Sequence, residues 1–240
     1  MELKKIDMPT QKVELISRKA TVTMRPMTVK ESKIILVAKQ SGVQDDIIEA
    51  TVNVLRQCVS STDVDITSLP IYDIVWLYIQ LKAFSVSNKI KFSFNDEHEK
   101  EISLELDLGK IQKPEIPKER NTNCIISSDL IISFKDLPVG IFVSPEFKEA
   151  MSTSNEDKVW SRMLLGGIDS ITMGENTVSA ASIVPDKLSE WIDTMPAKLF
   201  DEFQKFNETA PEIKHTIEYK DSAGKDQKFV LATLPDFFLL

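Results

Sequence analysis

Two histidines, His98 and His215, are the side chains of this sequence best suited to move a proton near neutral pH or to hold a metal ion. His98 lies in the acidic run "NDEHEKE", Asn95 to Glu101, which could attract a divalent cation. The spacing there matches neither a calcium loop nor an H-E-x-x-H zinc site, so a solvated, charged hairpin tip is the expectation. His215 is expected on the face of its strand opposite the half-buried one. No carboxylate and nucleophile fall at a spacing that completes a triad around either histidine. "LLGGIDS", Leu164 to Ser170, carries paired glycines without the G-x-G-x-x-G or G-K-[ST] pattern that cradles phosphate. Cys58 and Cys124 fall on a helical and a strand pattern and are expected as buried, reduced thiols rather than a disulfide. These residues assign no catalytic group, no cofactor and no metal ligand, and they point away from an enzyme. The alternative is a metal-dependent or small-molecule enzyme whose site is built from scattered carboxylates. A concave pocket holding several acids of shifted pKa would mark it.

The totals narrow the class further. A chain of 240 residues is long enough for one large domain or two small ones. Its formal net charge of -8 repels phosphate backbones, so nucleic acid is not expected as a partner. The densest basic run, "KPEIPKER" from Lys113 to Arg120, is broken by Glu115 and Glu119 and reads as a solvated linker. The longest apolar stretch, "LPIYDIVWLYIQLKAF", contains Asp73, Gln80 and Lys82 and is too short and polar to span a bilayer. The opening "MELKKIDMPTQ" lacks the apolar core of a secretory signal, so no membrane contact and a reducing cytosol are expected.

The elements follow from periodicity and caps. Val13–Ile16 and Thr21–Arg25 read as strands. Thr28 with Glu31 forms a capping box, Ile34, Ile35, Val37 and Ala38 supply a helical face, and Gly42 is a stop signal. A second helix is expected from Asp45 to Cys58. A third begins after Ser68 with Pro70 in its first turn and is apolar around most of its circumference, which places it centrally in the core. Ile90, Phe92 and Phe94, then Ile102, Leu104 and Leu106, alternate with polar residues as a hairpin with one dry face. Beyond the proline-bearing "QKPEIPKERNTN", strands are expected at Ile125–Ser127 and Leu130–Phe134. Helices follow: one capped by Ser144, one with Trp160, Met163, Leu164, Ile168 and Ile171 inward, and two more in "VPDKLSEWIDTM" and "PAKLFDEFQKFNET". The last buries Leu199, Phe200, Phe203 and Phe206. A second hairpin, Ile213–Tyr219 with Phe229–Leu231, closes the chain.

The expected fold is α+β: amphipathic helices packed with short antiparallel strands and two β-hairpins. Residues 1–112 form an N-terminal α+β half with the first hairpin. Residues 113–240 form a C-terminal helical half closed by the second, unless the two intertwine as one domain. The chain ends in "LPDFFLL". Its apolar residues either dock on the chain's own core or are offered to a partner. The candidate partner-binding residues are therefore Phe237, Phe238, Leu239 and Leu240, together with Phe200, Phe203 and Phe206 of "LFDEFQKF".

An ordered set of stretches carries a resemblance. "MRPMTVKESKIILVAKQSG", "SLPIYDIVWLYIQLKAFSVSNKIKFSF", "IDSITMGENTVSA", "LSEWIDTMPAKLFDEFQKF" and "KHTIEYKDSAGKDQKFVLATLPDFF" together resemble the baseplate hub protein family of T4-like bacteriophages. The resemblance implies a non-enzymatic tail baseplate hub subunit, or a chaperone-like factor acting while the hub is assembled. It implies other hub proteins as partners. It places the chain in the host cytoplasm during assembly and in the virion tail baseplate if it stays. The resemblance also implies C-x-x-C pairs at both hairpin tips, as in a small zinc ribbon. The corresponding stretches here read Asn95-Asp96-Glu97-His98 and Asp221-Ser222-Ala223-Gly224, with no cysteine. One histidine cannot supply a four-ligand structural site. The expectation is a metal-free counterpart in which the hairpins lie side by side, held by strand packing and by charge pairing at the tips.

Overall fold

Local signals set the first part of the chain. In the computed structural model, which describes residues 6–61 and 63–240, β1 (Gln11–Glu14) pairs antiparallel with β2 (Thr21–Met24). Residues 1–5, part of the opening read above for a secretory signal, lie outside the described residues. α1 (Val29–Ser41) starts at the Thr28–Glu31 capping box and ends at Gly42, whose φ of 65° is left-handed. Ala38 is buried on it, whereas Val37 faces solvent rather than the core. α2 (Gln44–Cys58) buries Ile47, Ala50, Thr51, Val54, Leu55 and Cys58, a stripe at helical spacing. α3 (Ile71–Ser85) buries every residue from Tyr72 to Ile79 and then Leu81, so the helix that is apolar all round is central. Two hairpin strands follow, β3 (Lys89–Asn95) and β4 (Glu101–Asp107).

The middle of the chain carries β5 (Asn123–Ser127), β6 (Leu130–Phe134), α4 (Val139–Phe142), α5 (Pro145–Ser152) and α6 (Glu156–Gly167). Next come β7 (Ile168–Met173), β8 (Asn176–Ser179), α7 (Pro185–Ile192) and α8 (Lys198–Glu208). The chain closes with β9 (His215–Lys220), β10 (Asp226–Leu231) and α9 (Leu234–Leu239). β5 to β8 form one antiparallel sheet in chain order. The fold is α+β.

One expectation is corrected at α6. The helix stops at Gly167, and Ile168 and Ile171 are buried as residues of β7. Their spacing from Leu164 continues a helical stripe, but the paired glycines end it. They also explain the close packing of α6. A Cβ on Gly166 would lie 1.9 Å from Ile141 Cδ1, and one on Gly167 would lie 2.2 Å from Phe203 Cε2. "LLGG" is thus a packing contact.

The chain divides into two compact units. The first comprises the stretch up to Ile66 with Tyr72–Pro114 and Glu212–Leu240; the second comprises Thr67–Ile71 and Glu115–Pro211. The second hairpin and α9 therefore belong with the N-terminal elements, although they follow the helical stretch in sequence. The physical reason is the dry face of the first hairpin, which β9 and β10 cover. Phe92 and Phe229 lie 5.2 Å apart by ring centroid, Phe94 and Phe229 5.0 Å, and Phe94 and Tyr219 5.5 Å. Each such ring pair adds roughly 0.5–1.5 kcal/mol beyond the area it buries. His215 shares this half-buried face with Ile217 and Tyr219, because residues two apart on a strand point the same way. That corrects its expected placement on the opposite face.

Buried polar groups pin the first unit. Asp73 of α3 accepts from the Ile16 N–H at 2.6 Å and from the N–H and hydroxyl of Ser17, tying the β1–β2 connection to the central helix. Burial pushes its carboxyl up, against the opposing pull of those donors. Glu31 accepts from the Thr28 N–H at 2.6 Å and pairs with Arg25 at 3.0 Å. Burial alone would raise the Glu31 carboxyl, but the hydrogen bonds from Arg25 and Thr28 outweigh it and bring its pKa down to about 2. Cys58 and Cys124 are both buried and free, and burial raises the Cys58 thiol to about 11.

In the second unit, Phe134, Leu164, Ile168, Ile171, Leu199, Phe203 and Phe206 lead the core. Arg120 corrects the reading of its segment as a solvated linker. Its side chain is 6% exposed, it binds Asp136 at 2.5 Å, and its guanidinium sits 3.8 Å from the Phe206 ring centre. A planar cation stacked on a ring anchors the linker where a run of charges suggested water.

Candidate partner-binding cleft

The hairpin tips were the positions where a metal was implied, and their chemistry can be tested directly. Asp96 accepts from the His98 and Lys100 N–H groups with one oxygen and from the Ser222 N–H of the other hairpin with its second. Asp221 repeats the pattern, accepting from Ala223 and Lys225 N–H with one oxygen and from Gln227 with the other. Both tips place a left-handed residue three after the aspartate: Glu99 at φ 58° and Gly224 at φ 83°. The matching residues are thus Asp96 with Asp221 and Lys100 with Lys225, one step away from the tetrads paired in the sequence reading. Donation by Ser222 and by tip amides holds the Asp96 carboxyl well below the usual range, and Gln227 and the Lys225 amide lower Asp221. The Asp96 and Asp221 oxygens are engaged by the tips themselves, which leaves His98 and its neighbouring glutamates, and among the described residues no three His, Cys, Asp or Glu side chains gather to hold a metal ion. That donor set does not fit a four-ligand zinc site. Carboxylate-to-amide bonds organise the tips, where charge pairing was expected. The ion pairs lie along the strands instead, as Lys89–Glu105, Lys220–Asp226 and Lys228–Glu218.

The candidate phenylalanines separate by burial. Phe237 and Phe238 are buried in the first unit, where Phe238 stacks on Tyr78 at 5.4 Å. The Thr233–Asp236 capping box starts α9, and Lys82 donates to the Phe237 carbonyl at 3.1 Å. Of the two readings of the tail, docking on the chain's own core is the one observed for Leu234, Phe237 and Phe238. Phe203 and Phe206 are buried in the second unit, packed on Phe134. Phe200, Leu239 and Leu240 are the members of the set that solvent reaches. Phe200 was expected inward; Leu199, Phe203 and Phe206 take the core face of α8, and Phe200 falls at its edge.

That edge position makes a cleft. Asn155 caps α6 by accepting from the Lys158 N–H, which starts the helix so that Trp160 faces α8. Trp160 meets Phe200 edge-on at a centroid distance of 4.9 Å. Around this pair, Leu164, Leu165, Ile192, Met195 and Leu199 line a cleft of about 410 Å³ rimmed by Asp157 and Asp193. A second lobe of about 350 Å³ shares Asp157, Ser161, Leu165 and Ser189 and continues past Glu146, Glu149 and Asp186. Lys158 and Arg162 are the cations of that lobe. Neither histidine nor cysteine lines either lobe. The sequence reading placed Trp160 in a core stripe; the signal for the cleft is its pairing with an aromatic residue at the edge of α8, which spacing within one helix does not reveal.

The acids whose pKa is clearly displaced are dispersed. Glu31 and Asp236 cap helices, Asp73 anchors a loop, Asp96 and Asp221 close tips, and Glu202 pairs with Lys205 on α8. None of these six lines the cleft, whose floor is apolar and whose rim is acidic. On the first unit, Val29, Leu36 and Val37 of α1 are exposed apolar residues. Among the described residues, no helix is long and apolar enough to cross a membrane.

No curated protein and no solved structure matches the chain significantly. A family model does: residues 8–239, nearly the whole chain, match the one described as T4 bacteriophage base plate protein, and the chain belongs to that family.

Proposed function

We propose that this chain is a non-enzymatic protein of the phage baseplate hub, acting there as a subunit or as a factor that assembles it, and that it works by docking other hub proteins. The match to the base plate family over residues 8–239 carries the reading. The cleft around Trp160 and Phe200 supports docking as the mode of action, because half-buried aromatic residues at a surface are the usual anchors of protein interfaces. The scattered placement of the shifted carboxylates supports a role without catalysis. The chain would act in the host cytoplasm during assembly and, as a resident subunit, in the virion tail.

The test is affinity capture of the tagged chain from infected cells, with purified particles assayed in parallel. Hub proteins retained on the tag, with the chain present in particles, identify a subunit. Hub proteins retained, with the chain absent from particles, identify an assembly factor. Capture of no baseplate protein overturns the proposal.

A further inference from the structure

We infer that the cleft across α6 seats an apolar segment of another baseplate protein, flanked by lysine or arginine; the inference rests on the docking function proposed above. The floor of the cleft is apolar and aromatic, with Trp160 and Phe200 meeting at 4.9 Å and Ile192, Met195 and Leu165 beside them. A volume of about 410 Å³ accommodates large anchoring side chains rather than a whole folded surface. The first lobe is rimmed by Asp157 and Asp193 and has no lysine or arginine in its lining. The second adds Glu146, Glu149 and Asp186 against Lys158 and Arg162. Five carboxylates therefore face two cations along the groove. Among the described residues, none of the five is engaged in an ion pair.

Such a rim selects its occupant. Acidic peptides, anionic lipid headgroups and nucleic acid are all repelled by it. A segment with large apolar residues at its centre and cations on its flanks satisfies both features: the apolar side chains cover Trp160 and Phe200, and the cations meet the rim. Rim charges of this kind steer encounter and fix register, while the buried aromatic anchors carry most of the affinity.

The test uses the full chain carrying a photo-cross-linking residue at Ser161, an exposed position lining both lobes. A control chain carries it at Glu175, on the exposed β7–β8 turn. Both are expressed in infected cells, irradiated and purified, and the cross-linked peptides are sequenced by mass spectrometry. The expected result is a baseplate protein joined at position 161 and not at 175, through a segment containing large apolar residues and a net positive charge. A chain with Glu149→Lys and Asp193→Lys, changes at exposed rim positions, should lose capture by roughly tenfold at low salt. If baseplate proteins co-purify but position 161 captures none of them, or captures an acidic or neutral segment, the inference is overturned and docking stands. Undiminished capture by the charge-reversed chain overturns it as well. If no baseplate protein co-purifies, docking and the inference fall together.

Discussion

Replacing Phe238 with alanine tests whether the C-terminal segment is core or a docking element. Phe238 is 1% exposed and stacked on Tyr78, itself 1% exposed, at 5.4 Å. Phenylalanine-to-alanine changes in a closed core cost about 3–5 kcal/mol, and loss of an aromatic partner lies within that range or slightly above it. An expected cost of about 4 kcal/mol is a large fraction of the 5–15 kcal/mol that holds a domain of this kind. With a urea slope of about 2 kcal/mol per molar, the unfolding midpoint should fall by about 2 M. Hydrogen exchange read by mass spectrometry locates the loss. Protection should drop in α3, β9 and β10, while α6 and α8 of the second unit stay protected. Leu239→Ala, at a position 42% exposed, is the control and should shift the midpoint by less than about 0.3 M. A Phe238→Ala chain that unfolds within 0.3 M of the parent, by that same estimate, and yet loses its partners would refute the reasoning and return the tail to the partner-binding surface.

The two tips give a paired test: Glu99→Gly should stabilise the chain by about 1 kcal/mol and Gly224→Ala should destabilise it by a similar amount, because both positions are left-handed. Thermal unfolding of the two variants checks the opposite signs. Gly167→Ala should cost about 2 kcal/mol in denaturant titration, since its Cβ would meet the buried Phe203 ring. Glu31 has a folded pKa near 2 against an ordinary value of 4.5, so it binds fewer protons folded than unfolded in that interval. Its contribution is complete above about pH 4.5 and is lost as pH falls toward 2. After discounting for the water-facing side of Arg25, about 2 kcal/mol of stability should disappear across that interval. Glu31→Gln should flatten this part of the stability profile by that amount, measured as unfolding midpoint against pH.

What local chemistry dictates was legible in the residues. The Thr28–Glu31 box, the alternation through Phe92 and Phe94, and the all-round apolarity of α3 each act over a few residues, and the elements stand where they point. The paired glycines show where local reading stops: helical spacing carried the expected helix through Ile168 and Ile171, while the packing of Phe203 and Ile141 on Gly166 and Gly167 is a tertiary fact. Arg120 reads as one charge in a charged run, and only the fold brings the Phe206 ring beneath it. The second hairpin joins the first unit through rings far away in sequence, such as Phe229 on Phe94. The cleft was illegible for the same reason. Its anchors come from two helices separated by the β7–β8 hairpin and α7, and α8 gives no sign that Phe200 is the phenylalanine left at the edge.

The most direct test of the account's central claim, that this chain acts by touching other baseplate proteins, is quantitative mass spectrometry of what remains bound to the tagged full chain in infected cells. The account predicts one or more baseplate proteins retained in amounts comparable to the chain itself, and far above an untagged control. Recovery of the chain alone, or with proteins unrelated to the tail, would contradict it.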